Sequence, residues 1–326
     1  MLVVGSFKLF AFRFALLLRF SLYALKLNVM KTLFDYLKEA EEKKVAVGHF
    51  NISDLVALKA IVNAAKELNV PIMIGTSEGE RDFIGEHQAA ALVKSLREEF
   101  NYPIFLNADH THSLEKVKIA AQAGYDEILF DGGALPFEEN VKQTKQAIEI
   151  AKSINPDVYI EGELGYIGSS SEIISEIPAG AAVQIAQLTT KEEAAQFVSE
   201  TKVDFLAPAV GNLHGMLKDV PNPRLNIERI REIKGAVGIP LVLHGGSGTA
   251  DDDFLAAIDA GVNVIHINTE IRLAWRKGIE AGLKADPDEI APYKIFPPAL
   301  EAVQAAVSAR LKLFNKLVTL PSANNQ

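Results

Sequence analysis

Three histidines and a glutamate, His110, His214, His244 and Glu163, fall at or just beyond the ends of predicted strands, and all four side chains can hold a divalent cation. Imidazole and carboxylate together suit zinc, which takes three protein ligands in catalytic sites and leaves a position open for substrate. A lone histidine is ordinarily a packed or surface residue, so it is the grouping that argues for a metal site. Asp109 precedes His110. Neighbours at a strand end point different ways, which frees Asp109 to serve as a general acid–base beside the metal. A helix N-cap or an outer carboxylate is its structural alternative.

A second group is rich in glycine: GNLHG (211–215), HGGSG (244–248) and NTE (268–270). Glycines let backbone N–H groups approach an anion closely, and a following helix N-terminus favours negative charge. Lys218 would add one cation. No lysine stands at a predicted strand end, so a Schiff-base mechanism lacks its nucleophile. His110 and His112 form an HTH pair like the His-x-His of metal-dependent barrel hydrolases. That motif belongs on a first strand and this pair follows the third, so His112 reads as structural; His49 and His87 carry no assignable role.

Positioning these groups falls to eight short apolar runs: 45–50, 71–76, 103–108, 127–130, 158–163, 204–209, 240–245 and 263–268. Amphipathic stretches such as 31–43, 55–68, 138–154 and 191–201 lie before and between them. Near-continuous apolar strands separated by helices imply a buried parallel sheet, and eight βα units imply an α/β (β/α)8 TIM barrel, with an open doubly wound sheet as the alternative. Seven of the eight strands end in polar or ionisable residues: Asn51, Thr76 with Ser77, Asp109 with His110, Glu163, His214, His244 and Asn268. In a barrel those ends form the catalytic face, and the loops after strands seven and eight commonly hold phosphate. The connection 166–187 is long enough to be read as a mobile lid. An extra C-terminal helix is expected over 298–317, with a disordered tail at 318–326.

Composition narrows the partners. The chain has 326 residues, no cysteine and a net charge of −9, which removes thiolate chemistry and disulfides, and it has no basic run of the kind that binds nucleic acid. Residues 1–29 differ from the rest, with four cations, no acids and many Phe and Leu, yet their longest uninterrupted apolar run is far short of a membrane span. An amphipathic surface helix, a targeting peptide and a misassigned start are the readings; the expectation is that the native chain begins at Met30, which intact mass would check. No membrane association is expected for the barrel at 30–317, and a cytoplasmic location is.

NADH (107–110), EGELG (161–165), GNLHG and HGGSG, in this order and spacing, resemble the class II fructose- and tagatose-bisphosphate aldolases over about 31–317. The resemblance implies a (β/α)8 barrel, a homodimer or homotetramer, and zinc or another divalent metal on His110, His214 and His244, with Glu163 as a further or alternative ligand and a monovalent cation nearby. It implies that Asp109 moves the proton of the C4 oxygen, and that Gly215, Lys218, Gly245, Ser247, Asn268 and Thr269 hold the phosphate of dihydroxyacetone phosphate. Asn51 and Ser77 would line the other end of the substrate. Three departures stand out. The family's lid glutamate aligns with Ser171, so Glu172 is the candidate to replace it. His266 stands where the family has an active-site asparagine. Ala291, Pro292 and Tyr293 stand where an arginine reaches the distal phosphate, leaving Lys294 as a point charge. The expected reaction is reversible cleavage of a ketose bisphosphate, fructose 1,6-bisphosphate first, to dihydroxyacetone phosphate and an aldehyde such as glyceraldehyde 3-phosphate. Tagatose 1,6-bisphosphate, an unphosphorylated aldehyde partner, and a catalytically silent sugar-phosphate-binding barrel are the alternatives.

Overall fold

A computed structural model of the chain describes residues 31–169 and 171–317, so the expected N-terminal extension and the C-terminal tail lie outside the described residues. In chain order the strands are β1 (Val47–Asn51), β2 (Ile72–Thr76), β3 (Ile104–Thr111), β4 (Glu127–Phe130), β5 (Tyr159–Leu164), β6 (Ile173–Ile174), β7 (Phe205–Pro208), β8 (Met216–Leu217), β9 (Leu241–Leu243) and β10 (Val262–Ile267). Eight of them close a barrel in the order β1-β10-β9-β7-β5-β4-β3-β2, every pair parallel. The sheet is closed, and the open alternative is set aside. The two remaining strands, β6 and β8, pair with each other outside the barrel and were not foreseen in the sequence.

Side chains alternate across each strand. Outward residues such as Phe50, Ile74, Leu106, Ile128, Ile160, Leu206, Leu243 and Ile267 pack under the surrounding helices. Inward residues change character along the barrel axis. At the N-terminal end Val47, Met73, Phe105, Phe205, Val242 and Val264 form an apolar plug, closed from below by Leu33, Leu37 and Ala40 of the helix Leu33–Lys43. Two residues further along, the inward positions become His49, Asn107, Glu161, His244 and His266, all buried. The polar end is thus supported on an apolar floor, and it opens at the C-terminal mouth, the catalytic face of this architecture.

Helix boundaries follow local chemistry. The first helix starts at Leu33 rather than at 31 because Thr32 caps it: its hydroxyl accepts from Asp35 N, and the Asp35 carboxylate accepts from Thr32 N. The expected C-terminal helix runs Pro297–Phe314 and buries Ala299, Val303, Val307, Leu311 and Phe314. It lies along the helices Leu55–Leu68 and Thr269–Ala285, and the Phe314 carbonyl accepts from Ala46 N (3.1 Å) at the entrance to β1.

Gly75 of β2 faces inward, and a Cβ there would meet His49 Cε1 at 2.1 Å and Nε2 at 2.4 Å. The missing side chain is the space His49 occupies. Gly75→Ala should therefore cost about 1–3 kcal/mol through overpacking, read as a lower urea midpoint. An unchanged midpoint would show that the imidazole can move aside.

Candidate metal and substrate site

His110, His214 and His244 converge at the mouth, with ligand-capable atoms within 4.8 Å of one another. Each arrives by a different route. His244 follows β9 and keeps an inward position, 1% exposed. His214 lies on the loop after β7, where its N–H donates to the Ile167 carbonyl (2.9 Å). His110 sits in β3, where the pairing to β4 shifts between Ala108 and Thr111 and the His110 backbone has φ +42°. That left-handed residue breaks the strand's alternation, so the neighbours Asp109 and His110 both reach the cavity. Such a conformation costs on the order of 1–3 kcal/mol in a non-glycine residue. Buried Arg81 holds it: its guanidinium donates to the Asp109 carbonyl (3.0 Å), to Thr111 Oγ1 (3.0 Å) and to the Thr76 carbonyl.

Behind two of the imidazoles stands a carboxylate. His110 Nδ1 lies 2.8 Å from Asp131 Oδ2, and His244 Nε2 lies 2.8 Å from Glu161 Oε1. Those contacts occupy one nitrogen of each ring and leave His110 Nε2 and His244 Nδ1 buried with no partner, as is His214 Nε2. Three unpartnered nitrogens facing one space, two of them with carboxylate-fixed rings, fit a divalent cation and its outer shell. Glu163, 3.6 Å from His110 Nδ1, groups with His110 and Asp131 rather than with the three histidines. Burial pushes the His244 imidazole down to about 3, and burial together with the neighbouring imidazoles holds His214 well below the ordinary range, so both present neutral nitrogen. Burial acts on His110 in the same direction, but the carboxylates of Asp109, Asp131 and Glu163 outweigh it and hold that ring well above its usual range.

Asp109 is buried at the centre. Burial would raise its pKa, but the imidazoles of His110 and His266 hold it well below the carboxylate range. Oδ2 accepts from Asn51 Nδ2 (2.9 Å); Oδ1 has no hydrogen-bond partner and faces His266 Nδ1 at 3.4 Å and His110 Nε2 at 3.7 Å. Beneath it the His49 and His266 rings stack with centroids 3.4 Å apart and planes 4° apart. His49 Nε2 contacts Asn107 Oδ1 (2.8 Å), and Asn107 in turn donates to Glu127, so His49, which had no role in the sequence reading, belongs to the layer under the site. Burial raises both Glu127 and Glu161, the latter to about 8.

The glycine-rich segments enclose the adjoining end. Gly215, Gly245, Ser247, Asn268 and Thr269 line one small cavity together with Asn51, Asp109, Ser171, His214, His244 and His266. A Cβ on Gly245, at φ +61°, would strike the Leu213 carbonyl oxygen at 2.5 Å, so glycine is what lets this turn lie against the His214 loop. The helix Thr269–Ala285 begins here with no side-chain cap, and Asn268 Oδ1 is buried without a partner. An uncapped helix N-terminus beside close-packed glycines is suited to an anion. Ser77 lines the outer mouth with His110 and Asp131.

Two of the expected residues are not brought in. Glu172 is exposed and lines neither cavity at the mouth; its carbonyl accepts from Met216 N in the β6–β8 pair, and Ser171 is the residue that faces inward. Lys218 is exposed just beyond β8 and is likewise absent from the cavity lining. Residues missed in the sequence are Asp131, Glu161, Glu80 and Arg81. Asp131 directly follows β4, the one strand left without a polar end, and Glu161 lies two residues before Glu163 on the same inward face, so both had a readable signal.

A profile of the family described as fructose-bisphosphate aldolase class-II matches residues 31–317. The chain is 36% identical over 283 residues to a fructose-bisphosphate aldolase of Geobacillus stearothermophilus, covering 86% of this chain and 95% of that one. It is 36% identical over 284 residues to a probable fructose-bisphosphate aldolase of Bacillus subtilis, with the same coverage. Among solved structures, the YdjI aldolase of Escherichia coli K12 superimposes with a TM-score of 0.72 at 27% identity, over 88% of this chain and 97% of that one.

If Asp131 fixes the His110 ring for a cation, Asp131→Asn should weaken zinc binding by about 10–100-fold in chelator competition. Affinity equal to the parent protein would remove Asp131 from that role.

Proposed function

This chain belongs to the class II fructose-bisphosphate aldolase family, a metal-dependent family, and is an aldolase, a lyase; on that premise we propose that it uses zinc held by His110, His214 and His244 to split a ketose phosphate into dihydroxyacetone phosphate and an aldehyde. The observation that carries the metal assignment is the set of three buried, unpartnered imidazole nitrogens on one space, two of them backed by carboxylates. Glu163 stays close enough to His110 to serve as a further ligand. When bound, such an ion supplies positive charge against the electron pair left on the three-carbon fragment, a contribution of several kcal/mol.

The protein's own groups do the rest. Gly215, Gly245, Ser247, Asn268 and Thr269 bind the C1 phosphate, which places C3 and C4 of the substrate near Asp109. Asp109 accepts the proton of the C4 hydroxyl; the C3–C4 bond breaks, its electron pair stays with C3, and C4 leaves as an aldehyde. Support for this role is its unpartnered Oδ1, which faces the cavity, and its ionised state, since the neighbouring imidazoles hold its pKa low. Asn51, bonded to both Asp109 and Glu80, fixes the carboxylate. The proton returned to C3 is assigned to Glu172 on one ground, its place next to inward-facing Ser171; its side chain must turn in from solvent to deliver it. Lys218 contributes only if its exposed side chain folds back over the glycines.

The reading also takes the chain to be a cytoplasmic homodimer or homotetramer. Apolar surface at Ile290 and Tyr293, 90% and 76% exposed, supports assembly, and no described helix is long and apolar enough to cross a membrane. Sedimentation velocity should show a multiple of the 35.5 kDa chain; a monomer at micromolar concentration would count against it.

The principal test is cleavage of fructose 1,6-bisphosphate and fructose 1-phosphate before and after EDTA treatment and zinc return. Cleavage should be lost and then restored, and Asp109→Ala should lower kcat on the order of 10²–10⁴-fold. Cleavage indifferent to EDTA would overturn the metal assignment, and full activity in the Asp109 variant would overturn the proton transfer.

A further inference from the structure

The two segments that close over the phosphate cradle are joined behind it by one carboxylate. Glu270 directly follows cavity-lining Thr269, and Gly248 directly follows cavity-lining Ser247. The Gly248 N–H donates to Glu270 Oε1 (3.1 Å), and the Glu270 N–H donates to Ser247 Oγ (3.3 Å). The second bond leaves the Ser247 hydroxyl its one hydrogen to give to an anion. The first bond carries a liability, because it sets a negative charge one residue behind the groups that must attract a phosphate. Glu270 also stands in the first turn of the helix Thr269–Ala285, where its carboxylate draws on the same positive helix end that the phosphate needs.

That charge is answered from outside the barrel. Arg310, on the C-terminal helix Pro297–Phe314, donates from Nε to Glu270 Oε2 (2.7 Å) and from Nη2 to Glu270 Oε1 (2.9 Å), a two-pronged pair. Its Nη1 donates to Asp251 Oδ1 (2.6 Å), in the first turn of the helix Asp251–Ala260. The guanidinium carbon lies 5.3 Å from the centre of the Phe254 ring, which packs edge-on against Phe314. Among the described residues Arg310 is the one ion-pair partner of Glu270. The two side chains are only 20% and 16% exposed, so water screens the pair weakly.

We propose that Arg310 sets how tightly this enzyme holds the phosphate of its substrate, as a positioning residue that neutralises Glu270 behind the cradle. Arg310 is absent from the cavity lining and acts only through the carboxylate it holds. A brace that merely tied the C-terminal helix to the barrel would need no particular charge balance. The place of Glu270 between the two cradle segments is what gives that balance a consequence for an anion. The inference rests on the reading of Gly215, Gly245, Ser247, Asn268 and Thr269 as the C1 phosphate site.

The test measures binding of dihydroxyacetone phosphate to the zinc-loaded full chain by calorimetry, without any aldehyde. Arg310→Met should weaken it about tenfold, the scale of one unit charge acting through partly buried protein. Zinc affinity, read by chelator competition, should stay within about twofold of the parent, since the three histidines lie apart from the pair. The double variant Arg310→Met/Glu270→Gln should recover dihydroxyacetone phosphate affinity to within about threefold of the parent, because the offending charge is gone although the ion pair is not restored. An Arg310→Met affinity within about twofold of the parent overturns the inference. So does a double variant no tighter than the single one, the result a structural brace would give. Should Arg310→Met not fold, Glu270→Gln alone decides from the other side. With the arginine kept, affinity should rise about threefold, and an unchanged or lower affinity overturns the inference. A parent protein that takes up zinc but not dihydroxyacetone phosphate removes the cradle reading itself, and the inference falls with it.

Discussion

Imidazole nitrogens taken out of water must be hydrogen-bonded or bound to something else, and here three of them are left facing one another. That constraint organises the barrel. Asp131 and Glu161 each hold one ring by its far nitrogen, so the near nitrogen is the one exposed to the cavity. The carboxylates need partners of their own, and the layer of His49, Asn107, Glu127 and His266 fills the cross-section beneath them. Below that layer the barrel reverts to Val, Met and Phe. A polar interior of this density is tolerable because most of its side chains hydrogen-bond or stack on one another and the whole rests on a dry floor.

The fold was readable because its signals are local and repeated. Each strand is a short β-branched or apolar run, each connection is amphipathic, and the polar residues recur at the same end. Closure of the sheet follows from eight such units rather than from any one of them. The pairing of β6 with β8 was not readable: two residues carry no periodicity, and the segments they join are separated by a whole βα unit.

At the site, type and strand position singled out His110, Glu163, His214 and His244 but passed over Asp131 and Glu161, which carry the same signal, and features of backbone geometry had none. Asp109 and His110 looked like neighbours bound for opposite faces. The left-handed backbone at His110 and the guanidinium of Arg81 that secures it turn both inward, and neither feature has a sequence signature. For Glu172 the opposite holds: adjacency along the chain suggested that it could stand in for Ser171, but the chain bends at Glu172 just before β6, leaving Ser171 on the cavity and Glu172 exposed, so one residue of displacement is a change of surroundings. The companion groups Glu80 and Asp131 lie outside the quoted motifs, and their importance comes from what they touch.

The clip between β6 and β8 has a mechanical meaning. Met216 N donates to the Glu172 carbonyl, Lys218 N to the Ile174 carbonyl, and His214 N to the Ile167 carbonyl, so the covering segment and the loop that carries His214 are stitched at three places. A swing of that cover that kept the stitches would draw His214 with it. Access to the cavity and the position of His214 are then coupled through the same three hydrogen bonds, and whatever loosens the cover also loosens that histidine.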